Sequence, residues 1–153
     1  YLAPVYGRDL VKAVLAVKSG FAVGEIIQTV RELKEILDSP RLAEVREAHR
    51  RVKKILSKVK ESYTVREELL GTPHERELYR EVVNLEGEFK NLSPSQRVEK
   101  LARLKGVIDR FFDNVMVMAK EEELRKNRIA LLQRVRKLFE SVADFERLPL
   151  KGD

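Results

Sequence analysis

Apolar residues recur at three- and four-residue spacing along most of the chain, the spacing that lines one face of an α-helix. No stretch alternates apolar and polar residues as a half-buried strand does. Leu10, Val14 and Val17 predict a first helix over 8–18, capped by Asp9 and stopped at Gly20. Ile26, Ile27, Val30, Leu33, Ile36 and Leu37 predict a second over 23–37. Asp38-Ser39-Pro40 ends it, because proline disfavours helical geometry in the residue before it. Leu42, Val45, Val52, Ile55, Leu56 and Val59 predict a third over 40–59. Residues 62–71 read as a connector with one helical turn, Thr64 and Glu67 forming its capping box and Gly71 its stop.

Two further starts are signalled more strongly. Thr72-Pro73-His74-Glu75 and Ser93-Pro94-Ser95-Gln96 each combine a hydroxyl cap, a proline at the first helical position and a Glu or Gln three residues after the cap. They predict a fourth helix to residue 90 and a fifth carrying Val98, Leu101, Leu104, Ile108, Phe111, Phe112 and Val115. A last helix over 120–143 places Glu121, Glu122 and Glu123 at its positive end and carries Leu124, Leu131, Val135 and Leu138. The tail from Leu148, and 149–153 above all, is expected to fray. Short connections favour antiparallel neighbours, so the expected fold is all-α, an antiparallel helical bundle of about five or six helices. Residues 1–153 read as a single domain.

The chain has 153 residues, enough to bury a core unaided, and no Cys, which excludes a disulfide scaffold and a thiolate zinc site. No apolar run approaches the roughly 20 residues of a membrane span, and no basic-then-apolar leader opens the sequence, so a cytoplasmic location is expected. The chain opens on Tyr1, without Met, and is expected to be a processed chain or a fragment of something longer.

Charge changes the picture more. The net charge is +6, and the stretch from Arg41 to Lys60 carries all of it: eight basic side chains against Glu44 and Glu47. The other 133 residues hold 23 basic and 23 acidic side chains. On a helical wheel Arg46, Arg50, Lys53, Lys54 and Lys60 fall on a different arc from the apolar stripe. Such a face suits a polyanion; charge alone fits a solvated lysine-rich helix equally well.

Catalytic chemistry is hard to find. His49 and His74 are not paired at ligand spacing, and no glycine-rich phosphate loop or nucleophile elbow is present. Asp109 and Asp113 share a helix face, but Lys105 and Arg110 stand beside them, so an ion-paired surface is the expected reading. Met116 and Met118 are expected to pack in the core.

At the last two helices the sequence becomes specific. Phe111-Phe112-Asp113-Asn114-Val115-Met116-Val117-Met118-Ala119, Leu124-Arg125-Lys126-Asn127-Arg128-Ile129-Ala130-Leu131-Leu132, Leu138-Phe139 and Val142-Ala143-Asp144 resemble the C-terminal end of bacterial glycyl-tRNA synthetase β subunits. Arg51-Val52-Lys53-Lys54-Ile55-Leu56 resembles that family's basic helix, and Asp9-Leu10-Val11-Lys12-Ala13-Val14-Leu15-Ala16 its opening helix. The family's last domain is of the DALR anticodon-binding type, shared with arginyl-tRNA synthetases. The four naming letters fall on Glu122-Glu123-Leu124-Arg125, of which Leu124 and Arg125 agree. Lys120 stands where the family has an acid, and Lys54 where it has Asn.

The resemblance implies a C-terminal module that grips tRNA within a glycine–tRNA ligase and does no chemistry itself. The full enzyme would be an α2β2 assembly using ATP and Mg²⁺, with glycine and ATP held by the α subunit and no cofactor in this domain. Arg46, Arg50, Arg51, Lys53, Lys54 and Lys58 are the expected phosphate contacts. Arg125, Asn127 and Arg128, extended by Arg134, are the candidate readers of splayed anticodon bases. Asn127 and Arg128 fit equally well as a structural hydrogen bond and an ion pair that fix the last helix. Exposed aromatics are scarce apart from Tyr63 and Tyr79, so base stacking is expected to contribute little. The rival readings are a helical interaction module whose basic face meets an acidic protein or anionic membrane, and the equivalent domain of an arginyl-type synthetase. The Phe111 to Met118 block favours the glycyl type over the latter.

Overall fold

The computed structural model describes residues 7–17 and 23–149, and among these the architecture is all-α. Among the described residues six helices follow one another: α1 (Arg8–Leu15), α2 (Val23–Glu35), α3 (Pro40–Leu56), α4 (Pro73–Glu88), α5 (Pro94–Asn114) and α6 (Glu122–Glu140). Short 3-10 turns at Glu67–Leu69, Phe89–Asn91 and Phe145–Arg147 join or finish them.

The start signals act as their chemistry requires. Ser39, read from the sequence only as part of the stop before Pro40, also caps α3, its Oγ accepting the Arg41 N–H at 3.2 Å. Thr72 with Glu75 and Ser93 with Gln96 both close complete capping boxes, each ahead of a proline in the first turn. Two expected caps differ. Asp9 lies inside the first turn of α1, where its charge suits the helix dipole, and Gly7 (φ 91°) takes the N-cap position. Thr64 does not cap the Glu67–Leu69 turn; Arg66 precedes that turn in extended geometry. Its backbone is instead held by Asn127 of α6. The expected first helix reached Lys18 and its stop Gly20, both outside the described residues. Helix α3 stops at Leu56, three residues short of expectation, in a turn at Ser57 and Lys58.

Helix α5 is the hub, packing against α2, α3 and α4, while α6 packs across α3 and α4 and α1 lies on α2. The core between them holds Phe111, Ile108, Leu101, Leu131, Leu132, Phe139 and Phe145, all essentially inaccessible to solvent. Each such side chain contributes roughly 1.5–3 kcal/mol through burial. The C-terminal 3-10 turn closes the bundle over α3 and α1, and Leu148 is buried beneath it instead of fraying. Met116 and Met118 are not core residues. After α5 the chain is extended at Val115 and turns at Val117 and Met118; Val115 and Val117 are buried, and the two methionines are exposed.

Candidate nucleic-acid interface

Helix α3 turns its apolar stripe (Leu42, Val45, Val52, Leu56) into the core. Its opposite side carries Arg50, Lys54 and, in the turn beyond it, Lys58, each four residues from the last and all exposed. At 100° per residue this spacing makes a ridge slanting along the helix. Arg46, half-buried, begins it. Arg50 donates to its neighbour Glu47 through Nε at 3.0 Å and Nη2 at 2.6 Å. Lys54, Lys58 and the following Lys60 have no ion-pair partner among the described residues.

Two other members of the expected phosphate set are tied to other elements by ion pairs, Arg51 remaining partly exposed. Arg51 pairs with Asp109 of α5 at 3.2 Å and lies over the Phe112 ring at 4.5 Å. Lys105 also reaches Asp109, at 2.6 Å, so that carboxylate belongs to an ion-paired surface as its neighbours implied. Lys53 pairs with Asp144 at 3.1 Å and Glu146 at 3.3 Å, tying α3 to the C-terminal turn. Burial raises the Asp144 carboxyl, but the Lys53 ammonium, His49 and the Glu146 N–H together outweigh this and hold it below the usual range.

The α6 candidates separate similarly. Asn127 is buried; its Oδ1 accepts the Arg66 N–H at 2.6 Å and its Nδ2 donates to the Arg66 carbonyl at 3.1 Å. One side chain thus satisfies both backbone groups of a connector residue, and its amide is not offered to a base. Arg128 donates to the Met116 carbonyl at 2.7 Å and to Glu75, a fully buried carboxylate, at 3.3 Å. Arg125 donates one Nη–H to the Ala119 carbonyl at 3.2 Å and remains half-exposed. Arg134 pairs with Glu86, Nε to Oε2 at 3.0 Å, and lies over Tyr79 at 5.3 Å. Of the alternatives left open for Asn127 and Arg128, the geometry therefore favours the structural hydrogen bond and ion pair.

A family model described as DALR anticodon binding domain matches residues 45–145, from within α3 to the C-terminal turn. The chain belongs to the DALR anticodon-binding domain family. It is similar to the glycine–tRNA ligase beta subunit of Aquifex aeolicus, 43% identical over 146 residues, covering 95% of this chain and 21% of that protein. It is also similar to the beta subunits of Sulfurihydrogenibium sp. (33% over 147 residues; 94% of this chain, 22% of the relative) and Moorella thermoacetica (34% over 147 residues; 94% and 21%). The chain thus spans about a fifth of the length of these relatives. Within this DALR domain the Arg50-to-Lys58 ridge lies wholly inside the matched segment. Among the described residues no cluster of three His, Asp or Glu side chains could hold a metal, and no helix is long and apolar enough to cross a membrane.

One titratable group sits under the interface. His49 of α3 is fully buried, stacked on Phe139 at 5.3 Å, and its Nδ1 accepts the Phe145 N–H at 3.3 Å. Burial, then the nearby Lys53 charge, push its pKa from 6.5 to about 4; Arg136 adds to this and Asp144 opposes it. Because the folded pKa is depressed, the unfolded chain takes up a proton below pH 6.5 that the folded chain refuses. The stability due to neutral His49 is complete above that pH and is lost as pH falls to about 4, a total of ~3 kcal/mol. Thermal melts of wild type and His49→Phe at neutral and mildly acidic pH should show the steeper acid loss in the wild type. Parallel losses would place the acid sensitivity on carboxylates.

Proposed function

We propose that this DALR domain is the tRNA-gripping module of a glycine–tRNA ligase β-type subunit, and that its basic ridge holds phosphates of the anticodon arm. The observation that carries this reading is the ridge itself. Exposed Arg50, Lys54 and Lys58 stand in line on the one stretch that carries the chain's net charge, within the segment that matches an anticodon-binding family. Lys54 in the last turn of α3 and Lys58 just beyond it suit the negative end of the helix dipole, and neither has an ion-pair partner among the described residues, so both cations remain open to a phosphate.

Phosphate contacts position the RNA and make affinity fall with salt. In this reading Arg51 and Lys53 support the ridge by fixing α3 to α5 and to the C-terminal turn, and Arg46 extends it. Arg125 and Arg134 lie on α6, partly exposed; Arg125 spends one N–H on the Ala119 carbonyl and Arg134 is paired with Glu86, so each offers RNA its remaining N–H groups, while Asn127 and Arg128 hold the scaffold. Adenylation, with its ATP and Mg²⁺, glycine binding and contacts with an α subunit belong to parts of the ligase outside this chain, and the setting is cytoplasmic. The relatives' names favour the glycyl over the arginyl reading, and the family favours RNA over an acidic protein as the partner of the basic face.

The test is the affinity of the chain for glycine tRNA, and for the same tRNA with its anticodon changed, across a salt series. The expected result is tighter binding of the intact anticodon, with both affinities falling as salt rises. Affinity independent of salt would remove the phosphate grip from the proposal. Equal affinity for both tRNAs would remove anticodon reading from this chain.

A further inference from the structure

Beyond the ridge, a cleft of about 280 Å³ opens between the end of α3 and the middle of α6. Leu56, Val59 and Ala130 contribute its apolar part, Tyr63 lines it where the strap after α3 meets α6, and the exposed Lys60 and Lys137 border it. We propose that this cleft receives one unstacked base of the bound RNA loop, stacked on Tyr63, with Lys60 and Lys137 on the phosphates flanking it. This rests on the tRNA reading above and adds to it a site, a ligand and named contacts.

The cleft is preformed. Gln133 of α6 accepts the Tyr63 N–H at 3.0 Å and donates to the Glu61 carbonyl at 2.7 Å, so the strap that carries Tyr63 is clamped to the helix opposite. Tyr63 is further fixed by its hydroxyl, which donates to Glu61 at 3.2 Å, and by the Lys126 ammonium over its ring at 5.8 Å. An aromatic ring held in place at the edge of a groove loses little freedom when a base stacks on it, and stacking tolerates any base. The rim cations are available: Lys60 and Lys137 are exposed and have no ion-pair partner among the described residues. Two carboxylates also border the cleft, Glu61 and Glu140, the second accepting Arg136 at 3.1 Å. Carboxylates repel a phosphate but accept hydrogen bonds from a base amino group. The interior therefore suits a base and the rim suits its backbone. The position completes the argument, since Lys58 at the end of the ridge is two residues from Lys60. An RNA strand tracking the ridge arrives at the cleft.

The test uses the whole chain and an RNA hairpin with the loop of a glycine tRNA, carrying 2-aminopurine at one loop position at a time. Binding should change the fluorescence strongly at one position. Tyr63→Leu should abolish that change and weaken binding by about tenfold, whereas Tyr63→Phe, which keeps the ring, should preserve both. Lys137→Gln, an exposed change that leaves the fold intact, should lower the slope of log affinity against log salt by about 0.7. If Tyr63→Leu and Lys137→Gln bind as the wild type does and the fluorescence change persists in Tyr63→Leu, the cleft is not the base site. The ridge reading survives that outcome, provided wild-type affinity still falls with salt. No binding of the hairpin by the wild type overturns both.

Discussion

Arg128→Met is expected to destabilise the folded chain by about 3–5 kcal/mol while leaving the RNA affinity of the molecules that remain folded unchanged. The cause lies in Glu75. Its carboxylate is fully buried, caps α4 together with Thr72, and has the Arg128 guanidinium as its countercharge at 3.3 Å. Its Oε1 accepts from Thr72 and Arg128, and its Oε2 has no partner. Removing the arginine leaves a buried carboxylate with hydroxyl and amide donors only. It also frees the Met116 carbonyl, which Arg128 holds at 2.7 Å. For a domain of this size the loss corresponds to a fall in melting temperature on the order of 10 °C. Adding Glu75→Gln to Arg128→Met should recover much of it, because a glutamine can still serve the capping box and brings no charge. Melting curves of the two variants, with RNA affinity measured well below either midpoint, check this. An Arg128→Met protein that melts as the wild type but binds RNA poorly would make Arg128 an RNA contact and not a brace.

That separation between brace and contact is where sequence reading reached its limit. Local signals were legible because they act over three or four residues. Asp38-Ser39-Pro40 separates two helices, Thr72 with Glu75 and Ser93 with Gln96 start helices as their spacing requires, and the apolar stripes of α3, α5 and α6 face the core. The concentration of charge on α3 was legible for the same reason. What the sequence does not display is which cation meets an acid far along the chain. Lys53 finds Asp144, Arg51 finds Asp109 and Asn127 finds the Arg66 backbone, across separations of 91, 58 and 61 residues. Periodicity places each on a helix face but says nothing about what lies opposite. Lys53 and Lys54 are adjacent and chemically identical, yet one is an internal tie and the other is unpaired. The 100° between them is the whole difference. The cleft beside Tyr63 was invisible in the same way, since its walls come from residues 56–63 and 130–140, which only packing brings together.

The same reasoning selects the variant with the largest expected effect on binding. Changing Arg50, Lys54 and Lys58 together to glutamine should leave the stability of the fold within about 1 kcal/mol of the wild type and remove most of the salt-sensitive affinity for tRNA. Stability is spared because Lys54 and Lys58 have no ion-pair partner and Arg50 bonds only its exposed neighbour Glu47. An exposed pair of that kind contributes roughly 0–1 kcal/mol, and relief of like-charge repulsion along the ridge works in the opposite direction. Binding is not spared. Three phosphate contacts set a slope of log affinity against log salt of about −2 to −3, so wild-type affinity should fall roughly thirtyfold more than the variant's between 50 and 200 mM salt. A matched triple change at surface cations away from α3, such as Arg80, Lys90 and Arg103, should leave both affinity and slope near the wild type, because those side chains lie on α4, α5 and the turn between them. If both triple variants lose affinity equally, the chain attracts RNA through its overall charge and the ridge is not the grip. If only the ridge variant loses it, and its melting temperature holds, then the ridge on α3 is the grip and its cations serve the polyanion and not the fold.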